Sequence, residues 1–462
     1  MGLRHENVMK LMGACVDASC DCLCFTAVEP STVRLNSVGM PLPITLEYVV
    51  NNGIWRPYQL QETEDGGSTH YVGQNIELRE GDKLWMRNTQ ETYTLKYTSE
   101  HVATSDSRYG RLRGWARTAL DGNGFEQNIE YYSPTSYYVF VLTGALKASG
   151  DVQTLMTRHG GVSTAYFGQF YGLFSMCTAL LTPPELTAYT LQDKCYGYMF
   201  NGCTNLNDVK IRGSLNADTF SQQFVGMYQN CMSLTEFPDL SIEHNNYQSH
   251  VGFEKMFKGC VSLRKAPAIT VTVNVGNPKV GDSAYKEMFE NCTNLTDASR
   301  FTMYTSNTGV YRDYTGAFSG CTSLVQAPVI AFSIATASCV QLFMGCTSLR
   351  SITIRATLTS DRGVSSQPLV QMFDGCSSLE EINFLVTVPY TPSPNPNSIW
   401  NENSWGRTYL AQNWVRGVAE TGVFRMYYDT EVDGVKSNSK IPAEFGVSKI
   451  PVGWTVEYVE QS

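Results

Sequence analysis

Cys15, Cys20, Cys22 and Cys24 crowd into residues 15–24, the densest run of metal-capable side chains in the chain. Four thiolates can hold a tetrahedral Zn²⁺, but structural zinc sites usually pair a close C-x₂₋₄-C with a distant second pair. Cys20, Cys22 and Cys24 alternate, so a strand points all three to one face. Disulfides, a bound metal and free thiols all fit that spacing. A buried or partly disulfide-linked strand face is the expectation. His244 and His250 stand six residues apart without the H-E-x-x-H pattern, which predicts two exposed loop histidines. Asp297 with Asp313, or Glu380 with Glu381, pair as hydrolase carboxylates only on paper, since nothing around them differs from solvated surface. No G-x-S-x-G, Walker-type or Rossmann glycine signature occurs in a suitable context. The sequence thus predicts no catalytic residue, cofactor or metal site, and no enzyme.

Aromatic side chains offer a different chemistry. Tyr247, Tyr285, Tyr304, Tyr311 and Tyr314 lie in polar segments, and Trp400 and Trp405 lie in a Pro/Asn-rich stretch. Rings beside Asn suit sugar or protein ligands, because they bring contact area at low entropic cost. These seven form the candidate ligand surface. The alternative is that several pack back against the flank of the scaffold.

That scaffold is written in a repeat. The phrase aromatic, two residues, Cys, two residues, Leu occurs at Phe174/Cys177/Leu180, Phe200/Cys203/Leu206, Tyr228/Cys231/Leu234, Phe257/Cys260/Leu263, Phe289/Cys292/Leu295, Phe318/Cys321/Leu324, Phe343/Cys346/Leu349 and Phe373/Cys376/Leu379. The Cys-to-Cys steps run from 25 to 32 residues. A period of this size marks a stacked-repeat array whose neighbours share one core. The repeat cysteines then read as small buried hydrophobes, with a disulfide ladder as the weaker alternative. The Met-Phe before each Cys predicts a short helix, closed by the Gly or Asn next to the Cys. Alternating β-branched runs at 208–211, 268–273, 351–354 and 381–384 predict one strand per repeat in a parallel sheet. Pro184, Pro238, Pro267 and Pro328 sit just ahead of that strand. The inserts at 241–252, 275–285 and 305–316 are polar and are expected to tolerate change.

The expected organisation is an N-terminal arm or helix at 1–20, an antiparallel β-sandwich-like domain at 21–88 and a second β-rich region at 89–160. About eight α/β leucine-rich repeats follow at 161–388, then a Pro/Asn-rich segment and C-terminal cap at 389–462. The net charge of −9 and the absence of a Lys/Arg cluster argue against nucleic acid, and no apolar run is long enough to span a bilayer. Charged residues make up only 17% while tyrosines number 26, a profile of β-rich extracellular or virion proteins. The first 20 residues hold no apolar block and do not read as a secretory signal.

The phrase Met-Phe-x-Gly-Cys-Thr-Ser-Leu-x-x-x-Pro-x-Ile, closest at Phe318–Ile330 and Phe257–Ile269, resembles the BspA-like leucine-rich repeats of Bacteroides- and Treponema-type surface proteins. The likeness covers about 165–385. The flanks, FTAVE…ITLEY…GDKLWMR before and IlePro-x-GlyTrpThrVal after, are similar to gut-Bacteroidetes and phage-borne members. The resemblance implies adhesion or host-surface recognition and, in phages, a structural or fibre-like role. The leading expectation is a non-enzymatic virion protein. Its N-terminal region would bind other virion proteins and form homo-oligomers, while its repeats would bind a host protein or glycan. The alternative is a bacterial cell-surface adhesin. Members of that kind carry export signals, whereas a phage particle released by lysis needs none.

Overall fold

The computed structural model describes residues 22–39, 44–65, 67–89, 137–165, 168–217, 222–244, 252–273, 285–302, 312–333, 337–357, 369–387, 411–438, 441 and 443–461. The expected arm at 1–20 lies outside them, as do residues 90–136. The chain divides into two compact units, Met1–Arg212 and Gly213–Ser462.

The first unit opens with β-structure at the positions that alternation marks. Leu180–Thr182, Leu146–Ser149, Leu23–Ala27, Lys83–Asn88, Leu46–Val50 and Arg56–Pro57 form a six-stranded sheet in that order. Ile76–Leu78, Ser31–Val38 and Tyr137–Thr143 form a second. Phe25 of one sheet meets Phe140 of the other edge-to-face at 5.2 Å, so the two faces share a core. The strands at 137–149 are read apart from 21–88 in the sequence, but they complete both sheets by antiparallel pairing with Ser31–Val38 and Leu23–Ala27. The first repeat joins them: its Leu180–Thr182 strand runs parallel to Leu146–Ser149.

The repeats differ from expectation at one point. No α-helix forms among the described residues. Each Met-Phe segment is a run of consecutive turns. Counting from the repeat cysteine, position −1 holds Met176, Gly202, Asn230, Gly259, Asn291, Gly320, Gly345 and Gly375, all with φ between 59° and 78°. Position −5 repeats this: Gly172, Tyr198, Gly226, Lys255, Glu287, Gly316, Gln341 and Gln371 have φ between 51° and 63°. A left-handed residue every fourth position turns alternate peptides out of the local coil. Half the N–H groups close turns within the rung, as Cys260 N does to Phe257 O at 3.0 Å. The other half donate to the next rung, as Tyr228 N does to Met256 O at 2.9 Å and Asn230 N to Lys258 O at 2.7 Å. An α-helix would keep all those bonds to itself. The array is therefore a β-solenoid of about eight turns rather than an α/β leucine-rich repeat.

Where strands are described in the turns they pair in parallel, as expected, though none directly follows Leu295 among the described residues. In the second unit Ser214–Ala217, Leu240–His244 and Ile269–Val273 pair in parallel. So do Ile330–Ser333, Ser351–Thr357 and Glu381–Thr387, and Val423–Tyr427 and Thr455–Val459 extend that sheet. Residues 208–211 form no strand. A single bridge joins Leu186 to Ile211 there.

Inside, the aromatics of the phrase stack rung on rung. Phe289–Phe318 and Phe318–Phe343 lie at 5.1 and 5.4 Å with ring planes 12° and 11° apart. Phe200, Cys203, Leu206, Phe257, Cys260, Leu263, Phe289, Cys292, Leu295, Phe318, Cys321, Leu324, Phe373, Cys376 and Leu379 all have zero exposure. The cysteine does more than fill space. The thiols of Cys177, Cys203, Cys260, Cys292, Cys321, Cys346 and Cys376 each donate, at 3.0–3.1 Å, to the backbone carbonyl of the preceding rung's aromatic. For Cys177 that residue is Phe140, so a strand of the β-domain acts as the first rung. Apart from Phe140, these carbonyls also accept the N–H of their own rung's Cys, so both lone pairs are used.

Candidate binding surface

The alternation that buries Ile352, Ile354, Ile382, Phe384, Phe424 and Met426 turns their neighbours outward. Register then fixes which outward side chains meet. Thr353, Asn383, Arg425 and Glu457 form one row across four strands. Ser351, Glu381, Val423 and Thr455 form the row before it. In the row after it, Arg355 pairs with Leu385 and Tyr427 with Val459.

The central row is tied together. Arg425 Nη1 donates to Glu381 Oε1 at 2.6 Å and to Asn383 Oδ1 at 3.3 Å, and Nε donates to Glu457 Oε2 at 2.6 Å. The Glu457 bond leads in holding the guanidinium pKa above its ordinary value. Asn383 Nδ2 donates to Thr353 Oγ1 at 3.3 Å and to Glu381 Oε1 at 2.9 Å. The next row is apolar and half-exposed at Leu385, Tyr427 and Val459. The face thus carries fixed polar groups beside an apolar stripe.

The coil flank is built differently, because its side chains pair from rung to rung. Lys258 Nζ contacts Glu287 at 2.6 Å and Glu290 at 2.7 Å, Asp374 pairs with Arg416, and Gln341 bonds Gln371 at 2.9 Å. These contacts hold successive turns in register.

The expected ligand residues fall elsewhere. Tyr285 and Tyr314 are 1% and 0% exposed and stack on each other at 5.3 Å, so they present no ring to a ligand. They belong to a second internal column, seven residues before the repeat cysteine, with Phe224 and Phe253. Counting back from each Cys reveals that column in the sequence. Tyr285 and Tyr314 sit towards the ends of polar inserts, which masks their phase. Tyr247, Tyr304, Tyr311, Trp400 and Trp405 lie outside the described residues. The outward sheet row occupies the other phase of the same strands, which the apolar pattern of the core does not mark.

The other candidates resolve locally. Cys22 is disulfide-bonded and Cys24 is a buried free thiol, while Cys15 and Cys20 lie outside the described residues. Among the described residues no cluster of three or more His, Cys, Asp or Glu could hold a metal. The backbone of His244 closes the Leu240–His244 strand, and His250 lies outside the described residues. Asp297 accepts from Ser299 N and Oγ at 2.9 and 2.7 Å, and Asp313 accepts from Thr315 N at 2.9 Å. Glu380 faces Arg350 and Glu381 faces Arg425, so each carboxylate is engaged by a different partner. Burial pushes the thiols of Cys177, Cys260 and Cys376 up to about 12, far from a reactive thiolate. No described helix is long and apolar enough to cross a membrane. No protein-family model matches the chain, and no curated protein is significantly similar to it in sequence.

Proposed function

We propose that this chain is a non-enzymatic display scaffold: a virion structural protein of the BspA-like kind whose solenoid binds a host surface. The observation that carries this reading is the division of labour among side chains. Rings and thiols are spent on joining rungs, whereas the outward row Thr353–Asn383–Arg425–Glu457 is fixed in register yet faces outward. A solenoid can vary such a face without disturbing its core. In this reading the β-domain attaches the array to other virion proteins, in several symmetric copies. Mass spectrometry of purified virions tests it: the chain is expected in multiple copies per particle. A protein that associates with neither particles nor host envelopes would refute it.

The disulfide at Cys22 keeps a second reading, a bacterial surface adhesin, in play, since such bonds persist outside the reducing cytosol. A cleavable leader encoded upstream of Met1 would decide for the adhesin.

A further inference from the structure

We propose that the outward face of the C-terminal sheet is a subsite for a neutral, hydroxyl-rich polysaccharide, with Tyr427 as platform and Asn383 and Arg425 as hydrogen-bonding edge. The proposal rests on the scaffold reading above and names its ligand class.

Three features point to a sugar. A pyranose ring presents an apolar C–H face and a hydroxyl rim together, so its site needs an apolar platform flanked by donors and acceptors. Half-exposed Tyr427, paired with Val459, lies one row from Asn383 and Arg425 and supplies that combination. A protein-docking core would instead be depleted of charge.

Charge narrows the class. Two guanidiniums, Arg355 and Arg425, balance two carboxylates, Glu381 and Glu457, on this face. Arg425 is already bonded to both carboxylates. A face without net charge offers nothing to recruit a sulfated, phosphorylated or uronic-acid polymer by counterion release, so the match is to a neutral chain. The hydrogen bonds across the strands also fix the rotamers before ligand arrives, which lowers the ordering cost of binding.

Affinity electrophoresis of the full chain through gels containing laminarin, mannan or dextran tests this, with heparin and polygalacturonate as acidic controls. At least one neutral polysaccharide should retard the protein. Tyr427→Ala and Asn383→Ala should each weaken retardation at least about tenfold. Tyr427→Phe, which keeps the ring, should retain it, and all three variants should keep the parent's far-UV circular dichroism at the assay temperature. No retardation by the neutral polymers, retardation only by the acidic ones, or retardation that survives Tyr427→Ala would overturn the subsite. Co-sedimentation with Bacteroides envelope fragments separates the two levels. Binding unchanged by the variants removes this subsite and leaves the scaffold reading, which falls only if the chain also associates with no virion.

Discussion

At Gln341, a helix and the observed coil demand opposite outcomes from the same substitutions. The residue is half-buried at position −5, with φ of 56°, and its N–H donates to Val370 O at 2.9 Å. Its side chain donates to Gln371 Oε1 at 2.9 Å, and both Gln341→Ala and Gln341→Gly lose that bond. The difference between the two variants therefore isolates the backbone. Ala in the left-handed region costs about 1–2 kcal/mol. Gly avoids that cost but gives up about 0.4–1 kcal/mol through its freer unfolded chain. Gln341→Gly should thus be the more stable variant, by roughly 0.5–1 kcal/mol. In a helix interior the order reverses, with Ala favoured by about 1 kcal/mol. Urea unfolding at 25 °C gives the comparison. Pulsed thiol labelling of Cys346, which has zero exposure in the same turn, reads the local opening even if the array does not melt as one unit. A Gln341→Ala variant more stable than Gln341→Gly would refute the turn-coil account.

Three further outcomes follow from the same geometry. Phe318→Ala removes a fully buried ring stacked on both sides and should cost about 3–5 kcal/mol, read as a fall in urea midpoint. Asp239 and Asp297 are held below their ordinary value, Asp239 chiefly by the Ala268 N–H and Asp297 chiefly by Ser299. Because the folded pKa lies below the unfolded one, their stabilisation is complete above about pH 4 and is lost as pH falls through the folded values. Asp239→Asn with Asp297→Asn should therefore flatten the acid limb of a Tm-against-pH curve. The described free cysteines are all buried, so iodoacetamide at about pH 8 should leave them unmodified in the folded protein and alkylate them in urea, as counted by mass.

Much of the fold is legible in the phrase itself. Aromatic, Cys and Leu in fixed phase state that each turn buries the same three positions, and all three are buried in every repeat. The expected helix fails for a definite reason. Gly or Asn occupies seven of the eight −1 positions, but −5 holds Lys255, Glu287, Gln341 and Gln371 as well as Gly. Nothing in those residue types announces a left-handed backbone. A ninth coil was hidden the same way. Asn413 and Gly417 carry the positive φ values, and Phe373 N donates to Trp414 O at 2.8 Å, but no Cys marks the turn.

The sequence alone determined the repeat, its period, the buried triad and most of the strands, because apolar phase is a local property that any stacked core must satisfy. Only the tertiary structure decided what hydrogen-bonds to what. Half the backbone donors of each coil, and the thiol of its cysteine, find partners one rung away. No single repeat contains the acceptor that makes its own conformation favourable. The same holds for the outward face, where Thr353, Asn383, Arg425 and Glu457 become neighbours only when strands more than 25 residues apart in the chain pair in register.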